Sequence, residues 1–465
     1  MQKIFISLLT VCLLFFVPTF YPDKIVEGKM VDEMKKTQTP KNIIFLIGDG
    51  MGIGQMEIAR LFEYGKNGNL FMESLPYTAI AHTQSANNRV TDSAAGGTAL
   101  AIGQKTNNGM IGITPEGKNV DSILDAFKKN HKKTAIITTN SVTDATPASF
   151  TASVNNRWAD QEEIAKQQLQ NNVDIILGGG YKNFTQKDKR GITLLDAYKE
   201  NGYDVVLTNK ELQVAKGPKL IGLFNENHLN FQLDKDNLRT SEPSLKEMTN
   251  RALQILSKDD NGFFALIEGG RIDHASHASD ITGIWKETIA FDEVVKDCVD
   301  WAKQRQDTLV VVAADHETMG VSATEGMDIG ALKKVDVSPQ FMVSKLQKKK
   351  NGKGYTNKSI KKVFQQYAGI TLSKEQLRSF QDSIQPKTDQ VYPEQHIAWN
   401  IGNMIAKHYH AGITDREVQG LSSTGGHTSN MIVVFAYGIG AEQFHGIMDN
   451  TEIPRKMASI MKYHF

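Results

Sequence analysis

The segment Glu268-Gly-Gly-Arg-Ile-Asp273-His274-Ala-Ser-His277 places two carboxylates and two imidazoles close together along the chain. Asp273 and His277 stand four apart, so one helical turn brings them to the same face. A carboxylate and an imidazole so placed make a chelating pair for a borderline cation such as zinc. Crowded carboxylates repel one another, and a divalent cation is the usual remedy. A structural salt-bridge cluster is the alternative for this segment taken alone. Other polar groups are bland singly. Gly48-Asp49-Gly50 reads as a turn or as a ligand, and Asp92-Ser93 before Ala94-Ala95-Gly96-Gly97 suits a helix cap. Asp144-Ala-Thr146-Pro147 reads equally as a turn. Asp315-His316 at a strand end and His427 in a glycine-rich loop are weak alone.

Continuous apolar runs would position these groups. Asn42 to Ile47 stops at Asp49, and Thr134 to Thr138 leads toward Asp144. Val173 to Leu177 ends in glycines, Phe263 to Ile267 stops at Glu268, and Leu309 to Ala313 stops near Asp315-His316. Unbroken rather than alternating runs predict strands buried on both faces. Between them Ile281 to Lys303 repeats apolar residues at helical spacing, and Cys298 falls on that face as core packing. Such alternation predicts an α/β fold: a large, mostly parallel central sheet sandwiched by helices, with its chemistry beyond the carboxyl ends of the strands. Residues 326–418 change character. Lysines crowd Lys345 to Lys362 and Ser373-Lys-Glu-Gln looks like a helix start, so a mainly helical insertion or crown with a solvated lysine face is expected. The core then comprises residues 41–325 and 419–465, with a last strand at Met431 to Tyr437.

Composition narrows the function classes. The 465 residues carry 53 Lys+Arg against 52 Asp+Glu, a net charge of +1, so no global field favours nucleic acid or anionic lipid. Hydrophobic residues at 40% and charged residues at 23% fit an ordinary globular protein. The two cysteines, Cys12 and Cys298, provide no disulfide framework and no cysteine-based zinc site. Any metal must therefore be held by His, Asp and Glu. Lys3 followed by a mainly apolar run makes residues 1–22 a signal peptide or an N-terminal anchor, with a linker over 23–40. Export to the periplasm or the medium is the expectation.

Taken in order along the chain, the motifs resemble those of the alkaline phosphatases. They are Asp49 after the first strand, Asp92-Ser93-Ala-Ala, Asp144-Ala-Thr146-Pro, Arg157 eleven residues after Thr146, Glu268…Asp273…His277, Ala314-Asp315-His316 and His427. The resemblance implies hydrolysis of phosphate monoesters to an alcohol and inorganic phosphate at alkaline pH, through a phosphoserine on Ser93. It implies two Zn²⁺ and one Mg²⁺ per chain. Asp273, His277 and His427 would hold one zinc; Asp49, Asp315 and His316 would hold the second, with Ser93 its remaining ligand. Asp49 would also reach toward a third site, where Thr146 and Glu268 bind Mg²⁺ and Asp144 stands beside it. An all-oxygen site suits hard Mg²⁺, and mixed His/carboxylate sites suit Zn²⁺.

The resemblance also makes Arg157 a planar fork for two phosphate oxygens, oriented by Asp92, and lets His274 touch phosphate through water. Two rival readings remain. One is a phosphodiesterase or nucleotide pyrophosphatase of the same superfamily; the other is a non-catalytic exported protein that binds metal or phosphate. Thr146, Glu268 and Arg157 favour a monoesterase, because Mg²⁺ and arginine complement a doubly charged phosphate. Neither the nucleophile nor a zinc ligand is missing, which disfavours a pseudoenzyme. The partners are then small phosphate monoesters, with no nucleic-acid specificity and no membrane span in the core; a homodimer is the default among relatives. These motifs recognise phosphate, and none of them reads the leaving group.

Overall fold

Branched apolar residues in unbroken runs form strands whose two faces must both be covered. In chain order the strands are β1 (Asn42–Gly48), β2 (Tyr77–His82), β3 (Lys133–Ser141), β4 (Ile175–Gly179), β5 (Asp204–Val206) and β6 (Leu220–Leu223). They continue as β7 (Phe263–Gly269), β8 (Thr308–Ala313), β9 (Glu317–Thr318), β10 (His427–Thr428), β11 (Ile432–Gly438) and β12 (Gly446–Asp449). The computed structural model describes residues 38–351, 353–385 and 395–465, so the leader, most of the linker and Cys12 lie outside the described residues.

Ten strands form one sheet in the order β12-β2-β11-β8-β1-β7-β3-β4-β6-β5, and β9 pairs with β10 as a separate ribbon. Within the large sheet β11 alone runs against its neighbours β8 and β2; the other pairings are parallel. The mostly parallel sheet expected from the strand–helix alternation is therefore present. β1, β7 and β8 are buried along their whole length. Four neighbouring strands, β8, β1, β7 and β3, end where the acidic residues were expected. Register places Ile47 beside both Ala313 and Glu268, and Thr138 beside Glu268. Adjacent strands lie roughly 4.8 Å apart, so groups far apart in sequence emerge as near neighbours at one edge.

Helices cover both faces. The ones that position the site are α1 (Ile53–Tyr64), α2 (Ser93–Ile102), α3 (Ala145–Ser149), α4 (Arg271–His277) and α5 (Ile281–Arg305). α5 extends the expected helix by two residues and buries Ile281, Ile284, Val294, Val295 and Cys298. Burial pushes the Cys298 thiol above its ordinary value, as its packing role requires. Beyond the core, helices at Pro339–Ser344, Asn357–Ala368, Lys374–Ser383 and His396–His408 share a second apolar cluster. Phe341, Ile360, Phe364 and Ile401 meet Ile58 and Phe62 of α1 and Ile284 of α5 there. Lys345, Lys348, Lys349, Lys358 and Lys361 of this region are exposed. Among the described residues, no helix is long and apolar enough to cross a membrane.

Candidate active site

Ser93 is the first residue of α2, and the small residues after it explain how it is placed. Asp92 caps the helix, its Oδ1 accepting from Ala95 N at 2.9 Å. The run Ala94-Ala95-Gly96-Gly97 lets the helix approach closely. A Cβ on Gly96 would lie 2.9 Å from the Asp315 carbonyl oxygen, so a larger residue would push the helix off the strand-end loop. Ser93 Oγ thereby comes to 3.1 Å from His316 Nε2. The oriented amides of the first turn also favour an anion at this end.

Three imidazoles face this position with fixed tautomers. His277 Nδ1 lies 2.8 Å from the Gly425 carbonyl oxygen, and His427 Nδ1 lies 3.0 Å from the Thr91 carbonyl oxygen. A carbonyl only accepts, so both Nδ1 atoms carry the proton, and each ring in its neutral form presents its lone pair at Nε2. Those two Nε2 atoms are 3.1 Å apart. His277 Nε2 is also 3.2 Å from Asp273 Oδ2, and His427 Nε2 is 3.7 Å from Asp273 Oδ1. His316 follows the same rule: Thr318 Oγ1 donates to Asp273 Oδ1 at 2.6 Å and so accepts from His316 Nδ1 at 3.2 Å. His316 Nε2 then faces Asp315 Oδ2 at 3.2 Å and Asp49 Oδ1 at 3.5 Å. Lone pairs and carboxylates turned upon one another in a buried pocket repel, and a cation removes the repulsion.

The unsatisfied atoms tell the same story. Asp49 Oδ1, Asp315 Oδ2, Thr146 Oγ1 and Glu268 Oε1 are buried and make no hydrogen bond. Burial, then Asp315, Asp273 and Glu268, raises the Asp49 carboxyl well above its ordinary range. Burial likewise lifts Glu268 to about 8, with Asp144 and Asp315 adding to the effect against a bond from Thr138. Asp273, His316 and His427 form one compact donor group, and Asp49, Asp315 and His316 another, each with its donor atoms within 4.8 Å of one another. Both mixed sets fit a borderline cation. The all-oxygen atoms of Asp49, Thr146 and Glu268 fit a hard one.

Arg157, Asp144, His228 and His274 make up the neighbouring region. Asp144 caps α3 and accepts from Arg157 Nη2 at 2.6 Å, whereas Asp92 Oδ2 lies 4.0 Å from Arg157 Nη1. Burial raises the Asp144 carboxyl, but Arg157, His228 and His274 together bring it down to about 2. His228, which no sequence signal singled out, accepts at Nδ1 from Ser141 N at 3.1 Å. His274 accepts at Nδ1 from Arg271 Nη1 at 2.7 Å, and its ring stands edge-on to His228 at 4.4 Å. An N–H only donates, so both rings carry their proton on Nε2 and offer no lone pair there. Burial is the first cause lowering both; His228 falls to about 4 and His274 well below its ordinary value. These two are neutral donors. Asp144, His228 and His274 cluster as tightly as the other groups, yet the lone pair that each ring keeps at Nδ1 is already taken, by the Ser141 amide and the Arg271 guanidinium.

Thr318 and Arg271 belong to the site without forming part of any motif singled out in the sequence. Thr318 follows His316 by two residues, and Arg271 lies inside the acidic segment, so their closeness to motif residues is the signal the sequence carries.

The alkaline phosphatase family profile matches residues 40–463. The chain belongs to the alkaline phosphatase family. Alkaline phosphatase 3 of Bacillus subtilis strain 168 is 33% identical over 446 residues, covering 91% of this chain and 89% of its own. The crystal structure of Thermus thermophilus alkaline phosphatase matches with a TM-score of 0.81 at 27% identity, covering 96% of each chain. A TAB5 alkaline phosphatase variant with Asp in place of a His, and Mg bound in its M3 site, matches with a TM-score of 0.65 at 29% identity over 92% of this chain and 99% of its own. The protein is accordingly a phosphatase, its substrates are phosphate esters, and family membership supports hydrolysis of monoesters. As an alkaline phosphatase it is metal-dependent, and the buried donor groups around Ser93 are suited to that need.

Proposed function

We propose that this alkaline phosphatase hydrolyses phosphate monoesters through a phosphoserine on Ser93, with two Zn²⁺ and one Mg²⁺ per chain. The observation that carries the reading is the set of imidazole lone pairs and unpaired carboxylate oxygens gathered around Ser93 Oγ. Asp273, His277 and His427 would hold one Zn²⁺. Asp49, Asp315 and His316 would hold the other beside Ser93, and Thr146 and Glu268, with Asp49, would hold Mg²⁺. When bound, these ions supply Lewis acidity that stabilises oxyanions and favours the deprotonated form of a coordinated hydroxyl.

The chain's own groups do the rest. Arg157 sets two oxygens of the phosphoryl group in its planar fork, and Asp144 keeps the guanidinium aligned from behind. Asp92 fixes the first turn of α2 so that Ser93 Oγ faces phosphorus. Attack by Ser93 Oγ forms the Oγ–P bond as the bond to the alcohol oxygen breaks, and the alcohol leaves with a proton. Water then attacks the phosphoserine, the Oγ–P bond breaks, and inorganic phosphate departs. Thr318 keeps His316 in the tautomer that turns Nε2 toward the nucleophile. His274 and His228 offer N–H donors near the phosphate rather than ligating metal.

Residues 41–325 and 419–465 form the catalytic core in this reading, 326–418 an insertion that shapes the entrance, and 1–22 an export signal or anchor. The decisive test compares initial rates on p-nitrophenyl phosphate and bis-p-nitrophenyl phosphate at alkaline pH, with Zn²⁺ and Mg²⁺ supplied. A strong preference for the monoester is expected. A preference for the diester would leave the metal centre standing and overturn the role given to Arg157 and Glu268.

A further inference from the structure

The groups described so far grip phosphate and leave the rest of the substrate unread. Trp158 directly follows Arg157 and is 53% exposed, while the other three tryptophans are buried or half-buried. Single exposed aromatics are common on protein surfaces and need no explanation. This one is distinguished by its anchorage. Asn156 Oδ1 accepts from Trp158 N at 3.0 Å and from Ala159 N at 3.1 Å, which holds the turn that presents the ring. The Arg157 guanidinium lies 5.4 Å from the ring centroid.

Beneath the benzo edge lies Gly109, where an added Cβ would stand 3.3 Å from Trp158 Cζ3. Gly109 has φ +87°, a conformation that favours glycine, so no side chain comes between. The same residue accepts from Arg157 N at 3.0 Å through its carbonyl and donates to Asp92 Oδ2 at 2.9 Å through its N–H. Asp92, next to the nucleophile, is thus joined through one glycine to the phosphate fork and the open indole.

We propose that Trp158 is the leaving-group subsite, selecting monoesters whose alcohol carries an aromatic ring, either an aryl group on the ester oxygen or a nucleobase beyond a sugar. The inference rests on Arg157 binding the phosphoryl group. With phosphate held there, the substituent leaves the site past the neighbouring residue, and a flat apolar surface rewards a ring over an aliphatic chain. A ring contact of this kind is worth about tenfold in binding when the aromatic residue is removed.

The test measures inhibition constants of phenylphosphonate and methylphosphonate on the metal-loaded enzyme, with hydrolysis of glycerol phosphate and of adenosine 5′-monophosphate alongside. Trp158→Ala is expected to weaken phenylphosphonate about tenfold and methylphosphonate less than about twofold. Trp158→Leu, which keeps apolar bulk without a ring, should show the same selective loss, and Trp158→Tyr should retain most of the affinity. A fall in kcat/KM for the nucleotide but not for glycerol phosphate would mark the nucleobase as a ring the subsite accepts; no such fall would restrict it to aryl esters. Equal losses for both phosphonates, or none, overturn the subsite. Failure of the unaltered enzyme to hydrolyse glycerol phosphate would instead overturn the monoesterase reading on which it rests.

Discussion

Five histidines line this end of the sheet, and they divide by what meets Nδ1. His277, His316 and His427 give their Nδ1 proton to oxygen: the Gly425 carbonyl, Thr318 Oγ1 and the Thr91 carbonyl. His228 and His274 receive a proton at Nδ1 from the Ser141 amide and the Arg271 guanidinium. The first arrangement leaves the Nε2 lone pairs to a nest of carboxylates; the second uses the Nδ1 lone pair on a protein donor and so keeps it from a metal. The same side chain becomes a metal ligand or a hydrogen-bond donor according to a partner on its far side. Proximity to an acid does not separate the groups, since His228 stands 3.7 Å from Asp144 and His427 stands 3.7 Å from Asp273.

Chelation should break the comparison most forcefully. An ion present at a thousand times its dissociation constant contributes about 4 kcal/mol to stability, so a chelator should lower the melting temperature markedly. An unchanged melting curve would mean that the lone pairs facing Asp273 need no cation. The stripped protein should also show a pH slope of definite sign. Glu268, with an ordinary value of 4.5, titrates at about 8 in the fold, so between those values the folded chain binds more protons than the unfolded one. Stability therefore falls as pH rises across that window, and Glu268→Gln should flatten the slope.

Thr318→Val sharpens the comparison at one residue. It removes the acceptor that fixes His316 and the donor to Asp273 while keeping the volume. Loss of such a supporting partner typically weakens metal affinity about 10- to 100-fold. Competition against a calibrated zinc chelator reads this directly, and an unaltered affinity would show that the tautomer of His316 is set elsewhere.

The smallest effect belongs to the donor pair. His274→Ala should leave the zinc content per chain unchanged and alter KM by a few-fold. Metal analysis decides the matter: a variant lacking stoichiometric zinc would put His274 among the ligands and erase the distinction.

Much of the architecture was legible because its cause is local. β1, β7 and β8 are unbroken apolar runs, and each stops at a site residue. α5 shows its buried face in its spacing. β2, β5 and β12 escaped notice for equally physical reasons. β2 exposes Tyr77, Thr78 and His82, β5 has three residues, and β12 is an edge strand with Ile447 open to solvent. Short or one-sided strands owe their existence to the neighbour they pair with, so their own sequence carries little signal. The candidate site divides similarly. The residues proposed as ligands stand in ordered motifs, whereas His228 sits in a polar loop beyond β6 with nothing around it to suggest chemistry.

What the amino-acid order decided alone is the sequence of motifs, the strand ends that carry Asp49, Glu268 and Asp315, and the small residues that let α2 bring Ser93 forward. What tertiary structure decided is the tautomer of His228, His277 and His427, the pairing of Arg157 with Asp144 rather than closely with Asp92, and the glycine that joins Trp158 to the phosphate fork. The reason is distance along the chain. The partner that sets each tautomer lies 87 residues away for His228, 148 for His277 and 336 for His427, and a hydrogen bond of that reach exists only once the sheet has gathered its strand ends.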